Sequence, residues 1–131
     1  MNIETKYQIE LSEKQMRLIA SCLEDVSRFA SGQWKLQNLI SEMTKNLPHN
    51  KQIENTQDVE NLLNKIKTIL LPNVFDNSSL GYNGSEFIGN TYQIYRTILH
   101  QLAIDNNWNN VYSSSALPSG NLETISIKKI K

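Results

Sequence analysis

A chain of 131 residues has the size of one domain, and its 39% of hydrophobic residues suffices for one modest core. Thirteen basic residues balance thirteen acidic ones, so the chain lacks the global electrostatic pull that makes nucleic-acid binding a natural reading. The single cysteine, Cys22, excludes an internal disulfide and a cysteine-based zinc site.

Met1 to Lys6 is polar and carries no secretory signal. No apolar run nears the roughly 20 residues that cross a bilayer. A cytoplasmic protein without membrane contact is expected. In Lys6–Leu11, Tyr7, Ile9 and Leu11 alternate with polar residues, which predicts a strand over 6–11 with one buried face. Ser12 followed by Gln15 reads as a capping box, with Leu11 and Met16 in hydrophobic-staple positions. Met16, Ile19, Cys22 or Leu23, Val26 and Phe29 or Ala30, then Leu36, Leu39, Ile40 and Met43, form one stripe. The spacing predicts a helix over about 13–43, with Cys22 a buried thiol and Gly32 a kink or a place of close approach.

The polar stretch 44–57, with Pro48 and several asparagines, reads as a mobile loop. Val59, Leu62, Leu63, Ile66, Ile69 and Leu70 predict a helix over about 58–71, stopped by Pro72. A long connection over about 72–86 follows, centred on Asp76–Gly84. Ile88, Tyr92, Tyr95, Ile98 or Leu99 and Leu102 predict a helix over about 86–105. Ile125 and Ile127 alternate with polar neighbours, which predicts a second strand over 122–128, paired with the first. The fold expected is therefore α+β and mainly α: three helices with paired terminal strands in a single domain. The open edge of such a ribbon suggests a homo-oligomer. The basic C-terminal Lys128, Lys129 and Lys131 read as a solvated terminus.

The histidines His49 and His100 lie in different elements without metal-ligand spacing, so no metal is expected, and no cofactor motif is present. No GxSxG, phosphate loop or carboxylate pair stands out, so the chain does not read as an enzyme. One polar and aromatic set could bind a ligand: Arg28, Gln33 and Trp34, then Asn77, Ser78 and Tyr82, then Tyr92, Arg96 and His100. Tyr92, Arg96 and His100 are spaced by four on one helix face. Arginine offers a planar fork for phosphate, and tyrosine or tryptophan a surface on which a base stacks. The same residues fit a structural reading: Tyr92 and Tyr95 in the core stripe, Arg28 and Arg96 paired with nearby acids.

Three stretches carry a family resemblance: Ile9–Gln15 with Ser27–Gln33, then Asn77–Tyr82, then Thr91–Leu102. On these the chain resembles small, mostly uncharacterised proteins encoded by phages and prophages of Gram-positive bacteria and Bacteroides. The last stretch is similar to a Tyr-Asp-Ile-Tyr-Gln-x-x-Arg-His type of helix, from which Gln93, Thr97 and the place of His100 depart. By analogy with phage anti-defence proteins, the resemblance implies a non-catalytic oligomer in the host cell cytoplasm. Such a protein sequesters a nucleotide-derived immune signal, a cyclic nucleotide or a cyclic ADP-ribose isomer. Two rivals stand beside it: an inhibitor or adaptor that acts on a host protein, and a phage transcription or DNA-processing accessory factor, which the zero net charge disfavours.

Overall fold

The computed structural model describes residues 5–33, 36–74, 79–81 and 84–130. Among the described residues four helices follow one another: α1 (Glu13–Ala30), α2 (Gln37–Thr44), α3 (His49–Leu70) and α4 (Glu86–Asn106), with a short 3-10 turn at Val111–Ser113. The capping box starts α1 as expected: Ser12 Oγ accepts from Gln15 N at 3.1 Å, and Gln15 Oε1 accepts from Ser12 N at 2.8 Å.

The helix expected over 13–43 is two helices. Gly32 adopts φ +100°, a left-handed conformation that L side chains rarely reach, and the chain turns there. Gln33 N then donates back to Arg28 O at 2.8 Å. Leu36 is left-handed as well, φ 35°, and supplies no side-chain cap to α2. Asp25 of α1 takes that role: its carboxylate accepts from Asn38 N at 3.1 Å and Leu39 N at 2.7 Å. A buried acid on one helix thus satisfies free amides at the start of the next.

The loop expected over 44–57 is largely helical, and α3 begins at His49 rather than Asp58. Pro48 sets the first turn: its carbonyl accepts from Lys51 N and Gln52 N, both at 2.9 Å. Gln52 Nε2 folds back onto Leu47 O at 2.7 Å. Asparagine-rich polar sequence has weak helix propensity, but these local bonds and the junction with α2 overcome it. The expected helix over 86–105 agrees with α4, which Ser85 caps through its Oγ on Ile88 N at 3.1 Å.

The α+β expectation is corrected. Among the described residues there is no strand, and neither 6–11 nor 122–128 joins a sheet. The two ends do meet, but through the exposed ion pair Lys6 Nζ–Glu123 Oε1 at 2.8 Å. The alternation at Ile125 and Ile127 has a different cause: both pack against the helical core. Tyr7 and Ile9, by contrast, stay exposed. Period-two patterning marks a segment with one covered face, and here helices rather than a strand cover the C-terminal one.

The core lies between α1 and α4. Ala20, Tyr95, Ile98 and Leu102 are buried there, ringed by half-buried Met16, Leu23, Leu99 and Trp108. The stripe expected on α1 is rotated. Ile19, Val26 and Cys22 are exposed, and the buried face carries Ala20, Glu24, Asp25 and Ser27. Polar α1 positions turn inward because each has a partner: Ser27 Oγ, for example, donates to Ile88 O at 3.2 Å.

The C-terminal segment crosses α4 at Gly89. A Cβ on Gly89 would collide with the backbone of Gly120. Ser119 Oγ donates to Gly89 O at 2.8 Å, and Asn90 Oδ1 accepts from Asn121 N at 2.9 Å and Leu122 N at 3.0 Å. These bonds clamp the segment across α4 and position the 111–117 stretch beside the N-terminal helix. No helix is long and apolar enough to cross a membrane among the described residues.

Candidate functional site

An open recess of about 450 Å³ lies where α1, α4 and residues 111–117 meet. Arg28 enters it from the last turn of α1, and Tyr92, Tyr95 and Arg96 from α4. Tyr112, Ser114 and Ser115 close the third side.

The tyrosines are ordered by one another and by the arginines. The Tyr92 and Tyr95 rings meet edge to face, with centroids 5.6 Å apart and planes at 88°. The Arg96 guanidinium lies 5.0 Å from the Tyr112 ring centroid and 6.0 Å from that of Tyr92. Arg96 is only 7% exposed. It donates through Nη2 to Val111 O at 3.2 Å and Ser114 O at 3.4 Å, so it straps the 111–114 segment to α4.

Arg28 is placed differently. Its side chain is 43% exposed, and its contact to a carboxylate is Nη2 to Glu24 Oε2 at 3.4 Å. Glu24, 8% exposed, is occupied from several sides. It accepts from the Tyr112 hydroxyl at 2.5 Å and from Asn38 Nδ2 at 3.0 Å. Burial pulls the Arg28 pKa down, but Glu24 and the Tyr95 and Tyr112 phenols outweigh it and hold the pKa above its ordinary value. Burial, and then the bond to Glu24 and its negative charge, pushes the Tyr112 phenol up to about 12. Burial also raises Tyr95. At neutral pH the recess therefore presents neutral phenols, hydroxyls and a partly exposed cation. Glu24 is held by three donors: the Tyr112 hydroxyl, Asn38 Nδ2 and Arg28 Nη2.

Of the residues singled out in the sequence, the structure brings Arg28, Tyr92 and Arg96 to one recess. His100 lies one turn further along α4 and lines a smaller recess of about 250 Å³ with Gln93, Thr97 and Thr124. Its Nδ1 is 2.9 Å from Tyr112 O. A carbonyl only accepts, so Nδ1 carries the proton. Gln33 is exposed beyond the end of α1 and lines neither recess. Trp34, Asn77, Ser78 and Tyr82 lie outside the described residues.

Sequence reasoning missed Tyr112, Glu24 and the serines at 114 and 115. Tyr112 carries one legible signal: an aromatic set between Asn109-Asn110 and Ser113-Ser114, where it has no helical stripe to join. Glu24 carries none, because its spacing is that of an ordinary solvated face.

The chain matches no protein-family model, no curated protein and no solved structure.

Proposed function

We propose that the recess binds a small anionic molecule with a flat ring, of nucleotide type, and holds it without chemical change. The convergence of Arg28 with Tyr92 and Tyr112 in a volume of about 450 Å³ carries this reading. Ligand sites of a few hundred Å³, mostly apolar and with a few placed polar groups, suit molecules of that size. Arg28 supplies the phosphate contact, because it has a loose partner and an exposed side chain. The Tyr92 ring supplies the stacking surface, which is worth about 1–3 kcal/mol per base. Ser114 and Ser115 offer hydroxyls to a sugar or phosphate edge. Arg96 keeps the wall in place rather than meeting the ligand.

The narrower reading rests on the likeness to phage-encoded proteins: the bound molecule is a nucleotide-derived immune signal, of the cyclic nucleotide or cyclic ADP-ribose type, sequestered in the host cytoplasm. Isothermal titration of the protein against AMP, cyclic mononucleotides, cyclic dinucleotides and cyclic ADP-ribose isomers tests both levels. Saturable binding of a cyclic member, recovered unchanged afterwards, supports the narrower reading. Binding of AMP alone supports a nucleotide site but not a signal sponge. No heat from any of them would end the proposal.

A further inference from the structure

We infer that the recess around His100 is a second compartment of the same binding site, and that the ligand is a dinucleotide, two nucleosides joined through phosphate. The inference rests on the nucleotide reading of the larger recess. Ser115 and Leu117 line both recesses, so the two meet along that short stretch of chain. α4 floors both, with Tyr92 and Arg96 under the larger and Gln93, Thr97 and His100 under the smaller. At about 250 Å³ the smaller recess falls below the roughly 300–1,000 Å³ of a ligand pocket. It suits one ring of a larger molecule rather than a ligand of its own.

The two compartments differ in charge. Arg28, the partly exposed cation, belongs to the larger one. Among the described residues no acid, lysine or arginine lines the smaller one, so an uncharged group fits there and a phosphate does not. Its polar atoms can read such a group. His100 Nδ1 donates to Tyr112 O at 2.9 Å, which makes Nε2 the acceptor of the neutral ring, and no contact within the described residues uses it. Thr97 Oγ1 donates to Gln93 O at 2.7 Å and keeps an acceptor lone pair. Thr124 Oγ1 accepts from Gln93 Nε2 at 2.7 Å and keeps a proton to donate. Acceptors beside a donor match the edge of a nucleobase, and Leu117 and Pro118 add apolar surface for its face. A mononucleotide in the larger recess would leave all of these groups unused.

Calorimetric titration of cyclic di-AMP against AMP, and of cyclic di-GMP against GMP, tests the inference in the wild type, Thr97→Val and His100→Asn. Valine keeps the branched shape of threonine without the acceptor, and asparagine keeps a donor toward Tyr112 O without Nε2. In the wild type at least one dinucleotide should bind about tenfold or more tighter than its own mononucleotide. Loss of one hydrogen bond should narrow that ratio by about threefold to tenfold in the variants. A variant that only loosens the wall weakens both members of a pair alike and leaves the ratio as it was. Should His100→Asn fail to fold, Thr97→Val decides. Equal affinities within each pair in the wild type, or a ratio unchanged in the folded variants, overturns the inference and leaves the nucleotide reading standing. No binding of any of the four ends the nucleotide reading and this inference with it.

Discussion

The Tyr112 hydroxyl donates to the Glu24 carboxylate at 2.5 Å and so ties the segment after α4 to the middle of α1. The same carboxylate oxygen meets Arg28, so one bond links the wall of the recess to the cation inside it. Removing the hydroxyl leaves a buried carboxylate short of a donor. Tyr112→Phe should therefore cost about 1–3 kcal/mol in urea unfolding. It should also shift Arg28 toward Glu24, which would weaken rather than abolish ligand binding.

The same phenol gives the stability a pH dependence. Its pKa in the folded chain is about 12, against about 10 for an unfolded tyrosine. A phenol raised in this way adds stability that is complete below the unfolded pKa and is lost as pH rises through the folded one. The wild type should thus lose stability between about pH 10 and 12, with Tyr95 acting in the same direction. Thermal unfolding across that range should show a shallower slope for Tyr112→Phe than for the wild type.

Asp25 gives a third prediction. It is 6% exposed and accepts from two amides at the start of α2. Asp25→Ala orphans both and should cost about 2–3 kcal/mol. Amide hydrogen exchange should speed up at Asn38 and Leu39 before it does in α4. Unchanged protection there would show that α2 does not depend on this cap.

The two arginines should separate cleanly. Arg96→Ala strands the carbonyls of Val111 and Ser114 and opens a void beside Tyr112. It should destabilise the chain by about 2–4 kcal/mol and disorder the recess wall. Arg28→Ala removes a partly exposed side chain and leaves Glu24 its Tyr112 and Asn38 donors, so it should cost less, about 1 kcal/mol. Urea midpoints of the two variants check this directly. A loss of binding in Arg96→Ala is thus no test of ligand contact, whereas a loss in Arg28→Ala is.

Much of the helical layout was legible because its signals are local. Ser12 with Gln15 gives the start of α1, and the stripe from Ile88 to Leu102 gives the body of α4. The break at Gly32 was visible as a glycine but not as a helix end, because the apolar stripe resumes at Leu36 with nearly unbroken period. The early start of α3 was hidden by residues that favour loops in isolation. The strands were misread at Ile125 and Ile127 because alternation reports a covered face and not what covers it. For the recess, the spacing of Tyr92 and Arg96 put both on one side of α4. Their roles needed the third wall, since only the carbonyls of Val111 and Ser114 show that Arg96 holds structure while Arg28 faces the opening.

The most direct test of the proposed site is calorimetric titration of the tightest-binding cyclic nucleotide or cyclic ADP-ribose isomer into three chains: wild type, Arg28→Ala and Gln33→Ala. Arg28 is placed to contact the ligand, and Gln33 lies outside the recess. Loss of one charge-assisted contact should weaken binding to Arg28→Ala by at least about tenfold, while Gln33→Ala binds as the wild type does. Equal affinity for wild type and Arg28→Ala would contradict the account.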